Sequence, residues 1–334
     1  MRSRTIRLAV SVAISVFFLA LAVRNVEWGQ ALAALRSANY LYVLPMIGVT
    51  VWTLYIRAQR WRIFLQSVRV PAMRPLVAAT NIGFMANMIL PLRIGEVVRA
   101  VLVNRREGLP LSAVLASILL ERIFDMFTVL LLFGLSALAV PFSAEVRQWG
   151  LMLTALAAGI GGVIILLRWQ EALALGLIGT VCGWLPPRIG EPVKGFARGF
   201  VKALDILKSP GAFARAFAWS IYLWLVIASI YTLGILAFHL TVPIVVASLV
   251  IMTVIAIAVS VPSAPGYIGS FQLGCVLAMA IFGVTQSDAL AFSIVLHLTQ
   301  FVGTVGAGVY SLWMENMSLR DVESVRPSGD DTVA

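Results

Sequence analysis

Long apolar stretches, each closed by charged or turn-forming residues, set the pattern of this chain. A helix needs about 20 mainly apolar residues to cross a bilayer. Segments 6–23, 40–56, 123–140, 149–167, 216–239, 243–261 and 289–313 meet that need. Two more, 75–91 and 274–284, are shorter or broken by glycine and proline. The pattern predicts an all-α polytopic membrane protein of seven to eight transmembrane helices, with two re-entrant or broken segments.

Composition agrees with this reading. Of 334 residues, 60% are hydrophobic and 12% charged, with a mean hydropathy of +0.96. Soluble domains average about 25% charged residues, which excludes that class. Arg2, Arg4 and Arg7 precede the first apolar run as they would in a signal peptide. Val23-Arg24-Asn25-Val26-Glu27-Trp28 lacks a small-residue cleavage pattern, so an uncleaved first helix is expected.

Lysine and arginine bias orients the chain. Arg2, Arg4 and Arg7 place the N-terminus in the cytoplasm, and Arg57, Arg60, Arg62, Arg69 and Arg74 are read as a loop on the same side. So is a basic segment, 168–215, with Arg168, Arg188, Lys194, Arg198, Lys202, Lys208 and Arg215. Loops 24–39 and 141–148 are charge-poor and expected outside. The formal charge of +10 is this excess; no nucleic-acid module is present and no such partner is expected. The basic stretch 188–215 suits anionic headgroups. The expected organisation is a single membrane domain, 1–315, in the cell (inner) membrane, then a polar, disordered tail, 316–334.

Charge inside the apolar sequence carries the chemistry. Asn87-Met-Ile-Leu-Pro91-Leu-Arg93-Ile-Gly95-Glu96-Val-Val-Arg99 and Glu121-Arg122-Ile-Phe-Asp125 each place three charges beside or within apolar runs. An ionisable group at the centre of a spanning helix costs about 2.5–3.5 kcal/mol. Three facing lipid together would cost roughly 8–10 kcal/mol. They persist by pairing or by lining a wet cavity. Arg93, Glu96 and Arg99 share a broad helical face, and Glu121 and Asp125 share another. A static ion-pair network is one reading. The other is a phosphate-binding pocket, because the guanidinium fork matches phosphate oxygens.

Pro262-Ser-Ala-Pro265-Gly266-Tyr-Ile-Gly269-Ser-Phe-Gln272 breaks a second apolar region. It is either a plain loop or a re-entrant turn whose freed amides face an anionic group. His297 lies mid-helix and is either a satisfied core histidine or a functional one; His239 ends a helix. Cys182 and Cys275 lack CxxC spacing, and no metal or cofactor is expected.

A weak internal two-fold repeat relates about 40–140 to 216–313. Pro91-Leu-Arg93-Ile-Gly95 pairs with Pro265-Gly266-Tyr-Ile-Gly269, and Ser117-Ile-Leu-Leu-Glu121 pairs with Ser293-Ile-Val-Leu-His297. Paired broken segments point to a transporter site at the repeat interface. Parallel and inverted relations both remain open.

The order N-x-x-L-P-x-R-x-G-E-x-x-R, E-R-x-x-D, P-x-x-P-G-x-I-G-x-F resembles the flippase-like membrane family. That is the family of the transmembrane region of lysylphosphatidylglycerol synthetases, the multiple peptide resistance factors. The resemblance spans roughly residues 10–315. It implies a polytopic inner-membrane protein handling an anionic, glycosylated or aminoacylated lipid. Where this chain has Gln272 many relatives carry Glu, so a charge is lost here and with it the ground for proton coupling at that position. No aminoacyl-transferase domain follows the last helix, so this polypeptide is not expected to aminoacylate the lipid.

The first expectation is a lipid flippase or transporter whose partner is a lipid with a phosphate-bearing headgroup. A lipid-binding accessory subunit of a lipid-synthesis enzyme is the second. An intramembrane enzyme using Glu121, Asp125 and His297 is the third. The absence of HExxH, a nucleophile elbow or an aspartate-rich site argues against it. The expected substrate-binding set is Asn87, Pro91, Arg93, Gly95, Glu96, Arg99, Glu121, Arg122, Asp125, Pro265, Gly266, Gly269, Gln272 and His297.

Overall fold

A computed structural model describes residues 2–90, 94–137, 186–205, 209–260 and 264–323, with isolated positions between 148 and 184. Pro91, Arg93, nearly all of the expected span 149–167 and the chain beyond 323 lie outside the described residues. Every regular element among the described residues is helical.

The N-terminal helix α1 (Arg2–Val23) is followed by α2 (Trp28–Ser37), bent from it by 87°. Most of 24–39, expected as a loop, is thus helical. Its Gln-Ala-Leu-Ala-Ala-Leu-Arg run is made of strong helix formers and buries Ala31, with α11 as its neighbour. A 3₁₀ turn at Tyr40–Tyr42 leads into α3 (Val43–Leu65). Because α3 continues to Leu65, Arg57 and Arg60 lie inside a helix rather than in the loop expected there.

The next helix, α4 (Met73–Ile89), stops at a backbone constraint. Leu90 precedes Pro91, and a residue before proline is driven out of the helical region. Leu90 sits at φ −97°, ψ 146°. Then come α5 (Gly95–Glu107) and α6 (Leu111–Ala137). Glu96 in the first turn and Arg105 and Arg106 in the last suit the α5 dipole. Gly108, left-handed at φ 63°, ends that helix.

In the second half lie α7 (Pro187–Ala203), α8 (Pro210–Ala237), α9 (Ile244–Ala258), α10 (Ser270–Ala280), α11 (Gln286–Met314) and the short α12 (Leu319–Glu323). Ser209 Oγ accepts from the Ala212 amide to cap α8, with Pro210 at its first position. Thr285 caps α11 in the same way, through the Asp288 amide.

Among the described residues, three helical stretches are long and apolar enough to cross a membrane: Tyr40–Leu65, Pro210–Ala237 and Gln286–Met314. The bent pair Ser11–Val23 and Trp28–Ser37 makes a fourth if it is one span. At 27 residues α6 equals these in length, but it carries Glu121, Arg122 and Asp125.

The long helix α11 joins two apolar clusters. One packs Trp61, Leu65, Ile82, Met85 and Val98 from α3, α4 and α5. The other packs Ile251, Met252, Phe271, Phe292 and Leu296 from α9, α10 and α11. Glycines let α11 come close to its neighbours. A methyl at Gly308 would strike Met85, and one at Gly303 would lie 3.0 Å from Thr50. Between the clusters a space is left open.

Candidate functional site: a charged cavity between the helices

Arg60, on α3, is fully buried and reaches α6. Its Nη1 donates to Asp125 Oδ1 and, at 3.1 Å, to Ser220 Oγ; its Nη2 lies 3.5 Å from Glu121 Oε1. Arg99, on α5, is also buried. It pairs with Glu121 Oε2 and stacks on the Trp61 ring, its guanidinium carbon 3.9 Å from the ring centroid. Trp61 is itself fixed, donating to Ser117 Oγ at 2.9 Å. Trp224 adds a 3.0 Å bond to Asp125 Oδ1. Charges taken out of water need such partners, because each alone carries a heavy desolvation penalty.

The cluster opens at its outer edge. Arg122 lies 3.7 Å from Glu96 Oε1 and 3.5 Å from Asp125 Oδ2. Its side chain is 37% exposed and that of Glu96 31%, against 0% for Arg60 and 1% for Arg99. Both line a cavity of about 380 Å³, together with Arg57, Asn87, Asp125 and His297. Apolar side chains of Val129, Leu130, Ile227, Ile230, Met252 and Ile255 form much of the remaining wall. Gly95 presses α5 onto α4: its amide donates to Asn87 Oδ1 at 2.8 Å, and a methyl there would collide with the Gly83 carbonyl.

The second set of sequence candidates forms a clamp around one turn. Between α9 and α10, Pro265–Tyr267 makes a single 3₁₀ turn, with Gly266 at φ 69° and Gly269 at φ 88°. These are left-handed positions that glycine occupies without strain. The Gly269 amide can only donate, and it does so to Gln272 Oε1 at 2.8 Å. The Gln272 nitrogen therefore faces His297 Nδ1, 2.9 Å away, as donor. His297 Nδ1 must accept, which leaves the proton on Nε2, 2.6 Å from the Gly266 carbonyl. The relay fixes the tautomer and ties the carbonyl of the turn to its amide. Phe271 stacks on the imidazole at 4.6 Å.

The two sets meet at the cavity. A methyl on Gly266 would lie 3.1 Å from the Met88 carbonyl at the end of α4, and Tyr267 joins the cavity wall. Of the sequence candidates, Asn87, Glu96, Arg122, Asp125 and His297 line this space. Gly95, Arg99 and Glu121 are packed behind it. Gly266, Gly269 and Gln272 shape the turn, and Pro265 starts it. Pro91 and Arg93 fall outside the described residues.

Arg57 and Arg60 were missed as site residues. The only sequence signal for them was their three-residue spacing on an apolar helix.

Residues 8–308 match the family described as the lysylphosphatidylglycerol synthase TM region. The chain belongs to that family. It is 26% identical over 349 residues to the glycosyltransferase AglD of Haloferax volcanii, covering 95% of this chain and 56% of that protein. It is 25% identical over 288 residues to a UPF0104 membrane protein of Methanothermobacter thermautotrophicus, covering 81% of this chain and 83% of that one. The chain thus spans little more than half the length of the glycosyltransferase. No solved structure matches it. Membership places the chain among membrane proteins with a lipid-related role, and its long apolar helices agree.

Proposed function

We propose that this protein moves a lipid with an anionic, glycosylated or aminoacylated headgroup between the leaflets of the cell membrane. The observation that carries the proposal is a cavity lined both by charged side chains and by aliphatic walls. That is the chemistry of a lipid headgroup attached to an apolar tail. At about 380 Å³ the space is at the small end of ligand pockets, roughly 300–1,000 Å³. It accommodates a headgroup while the tails stay between helices or in the bilayer.

The topology proposed with it has seven to eight crossings and two broken ones. At 1.5 Å per residue, α9 with 15 residues reaches about 22 Å and α10 with 11 about 16 Å. Neither spans a hydrocarbon core of about 30 Å alone. Joined by the 265–269 turn they suit one re-entrant unit, and α4 with α5 suits the other. Each is followed by a long helix, α6 or α11, that holds a buried polar group for it. This supports the two-fold repeat within a single membrane domain, 1–315. The N-terminus and the 168–215 segment are placed in the cytoplasm.

Transport rather than catalysis is supported by how the acids are used. Glu121 and Asp125 are both taken up by arginines, and both His297 nitrogens are bonded. None is free to act as a general base. A second reading, a lipid-binding subunit serving a glycosyltransferase, is favoured by the similarity to AglD. Sealed liposomes containing only this protein and fluorescent phosphatidylglycerol separate the two. Transport predicts that the inner-leaflet probe becomes accessible to a membrane-impermeant quencher. A subunit predicts binding with no exchange.

A further inference from the structure

In the charged cluster, three carboxylates serve three arginines. Arg60 holds Asp125 and Glu121, Arg99 holds Glu121, and Arg122 lies between Glu96 and Asp125. Arg57 is the fourth cation, one turn before Arg60 on α3. It lines the cavity, and its guanidinium lies over the Phe84 ring, 4.7 Å from the centroid. Among the described residues it makes no hydrogen bond and no ion pair. Arg57 is only partly buried at the cavity wall, so its donors are open to an anion from outside.

A cation resting over an aromatic face keeps its N–H donors available for an anion. The carboxylates nearby already pair with Arg60, Arg99 and Arg122. We infer that Arg57 is the anion-recognition residue of the cavity and that its ligand is the phosphate-class oxyanion of an amphiphile. The apolar part of that molecule lies along the α8 and α9 wall made by Ile227, Ile230, Met252 and Ile255. This deepens the transport reading, and it holds equally for a protein that only binds lipid.

Arg57 differs from its neighbours in a way an experiment can read. Removing Arg60 or Arg99 takes the hydrogen-bonded partner from a buried carboxylate, whereas removing Arg57 takes none. The test measures thermal stability and ligand affinity of the detergent-solubilised protein with added phosphatidylglycerol, phosphatidylcholine or inorganic phosphate. For Arg57→Gln, the melting temperature without lipid is expected to match wild type, and affinity for phosphatidylglycerol to fall about tenfold or more. Arg57→Lys falls between, since a point charge does not reproduce the fork.

Unchanged lipid affinity in Arg57→Gln overturns the assignment. So does a loss of unliganded stability matching that of Arg60→Gln, which would make Arg57 a brace. Binding of inorganic phosphate as tightly as phosphatidylglycerol overturns the amphiphile. Arg57-dependent binding without leaflet exchange would remove transport and leave this inference standing.

Discussion

Arg99 and Glu121 form a buried ion pair whose value lies in what each prevents the other from costing. Breaking such a pair by removing one partner typically costs about 3–5 kcal/mol, whereas replacing both with apolar groups is often neutral. Arg99→Gln should therefore lower the melting temperature sharply, and Arg99→Met with Glu121→Leu should recover most of the loss. If the double variant melts as low as the single one, the pair does more than neutralise itself. At this scale the sequence was half legible. Charges at 96, 99, 121, 122 and 125 stood out because they interrupt apolar sequence. Arg57 and Arg60 did not, because arginines at the end of an apolar run look like a loop on the positive side. The acidic partners of Arg60 lie far along the chain, and only the packing of α3 on α6 brings it to Asp125.

Among the elements, the turn between α9 and α10 is the most constrained. Gly269 combines φ 88° with a position where a methyl would run into the Ser15 carbonyl of α1. Gly269→Ala is expected to destabilise the fold by on the order of 1–3 kcal/mol, the usual cost of a strained backbone position. Gln272→Leu removes both side-chain bonds of the relay without adding bulk at the backbone. Amide exchange across 264–275 should then rise while exchange in α11 stays slow. Unaltered protection in that window would mean that packing, not the relay, holds the turn. The break itself was readable from two prolines and two glycines, as was the end of α4 before Pro91. The relay was not, because His297 and Gln272 meet only when α11 folds back along α10. Helix α2 also escaped the reading: 24–39 was judged by its low charge, although its alanines and leucines favour a helix.

For the whole molecule, apolar run lengths identified the helices well but settle the crossings less well, since α4, α9 and α10 are shorter than a bilayer is thick. Single cysteines introduced at Arg24 and at Arg198 test the proposed topology. In intact cells a membrane-impermeant thiol reagent should label the first and spare the second. The opposite pattern would invert the protein in the membrane.

Passage of lipid through the cavity is the central claim, and leaflet exchange in sealed liposomes tests it most directly when a plugged variant is included. Ser260 lies at the exposed rim of the cavity, where Ser260→Trp can narrow the opening with little disturbance of the core. Wild type should expose inner-leaflet phosphatidylglycerol well above the rate of protein-free liposomes, and Ser260→Trp, melting as wild type does, should return exchange towards that background. Exchange by wild type no faster than in protein-free liposomes, or undiminished exchange by the plugged variant, would contradict the account.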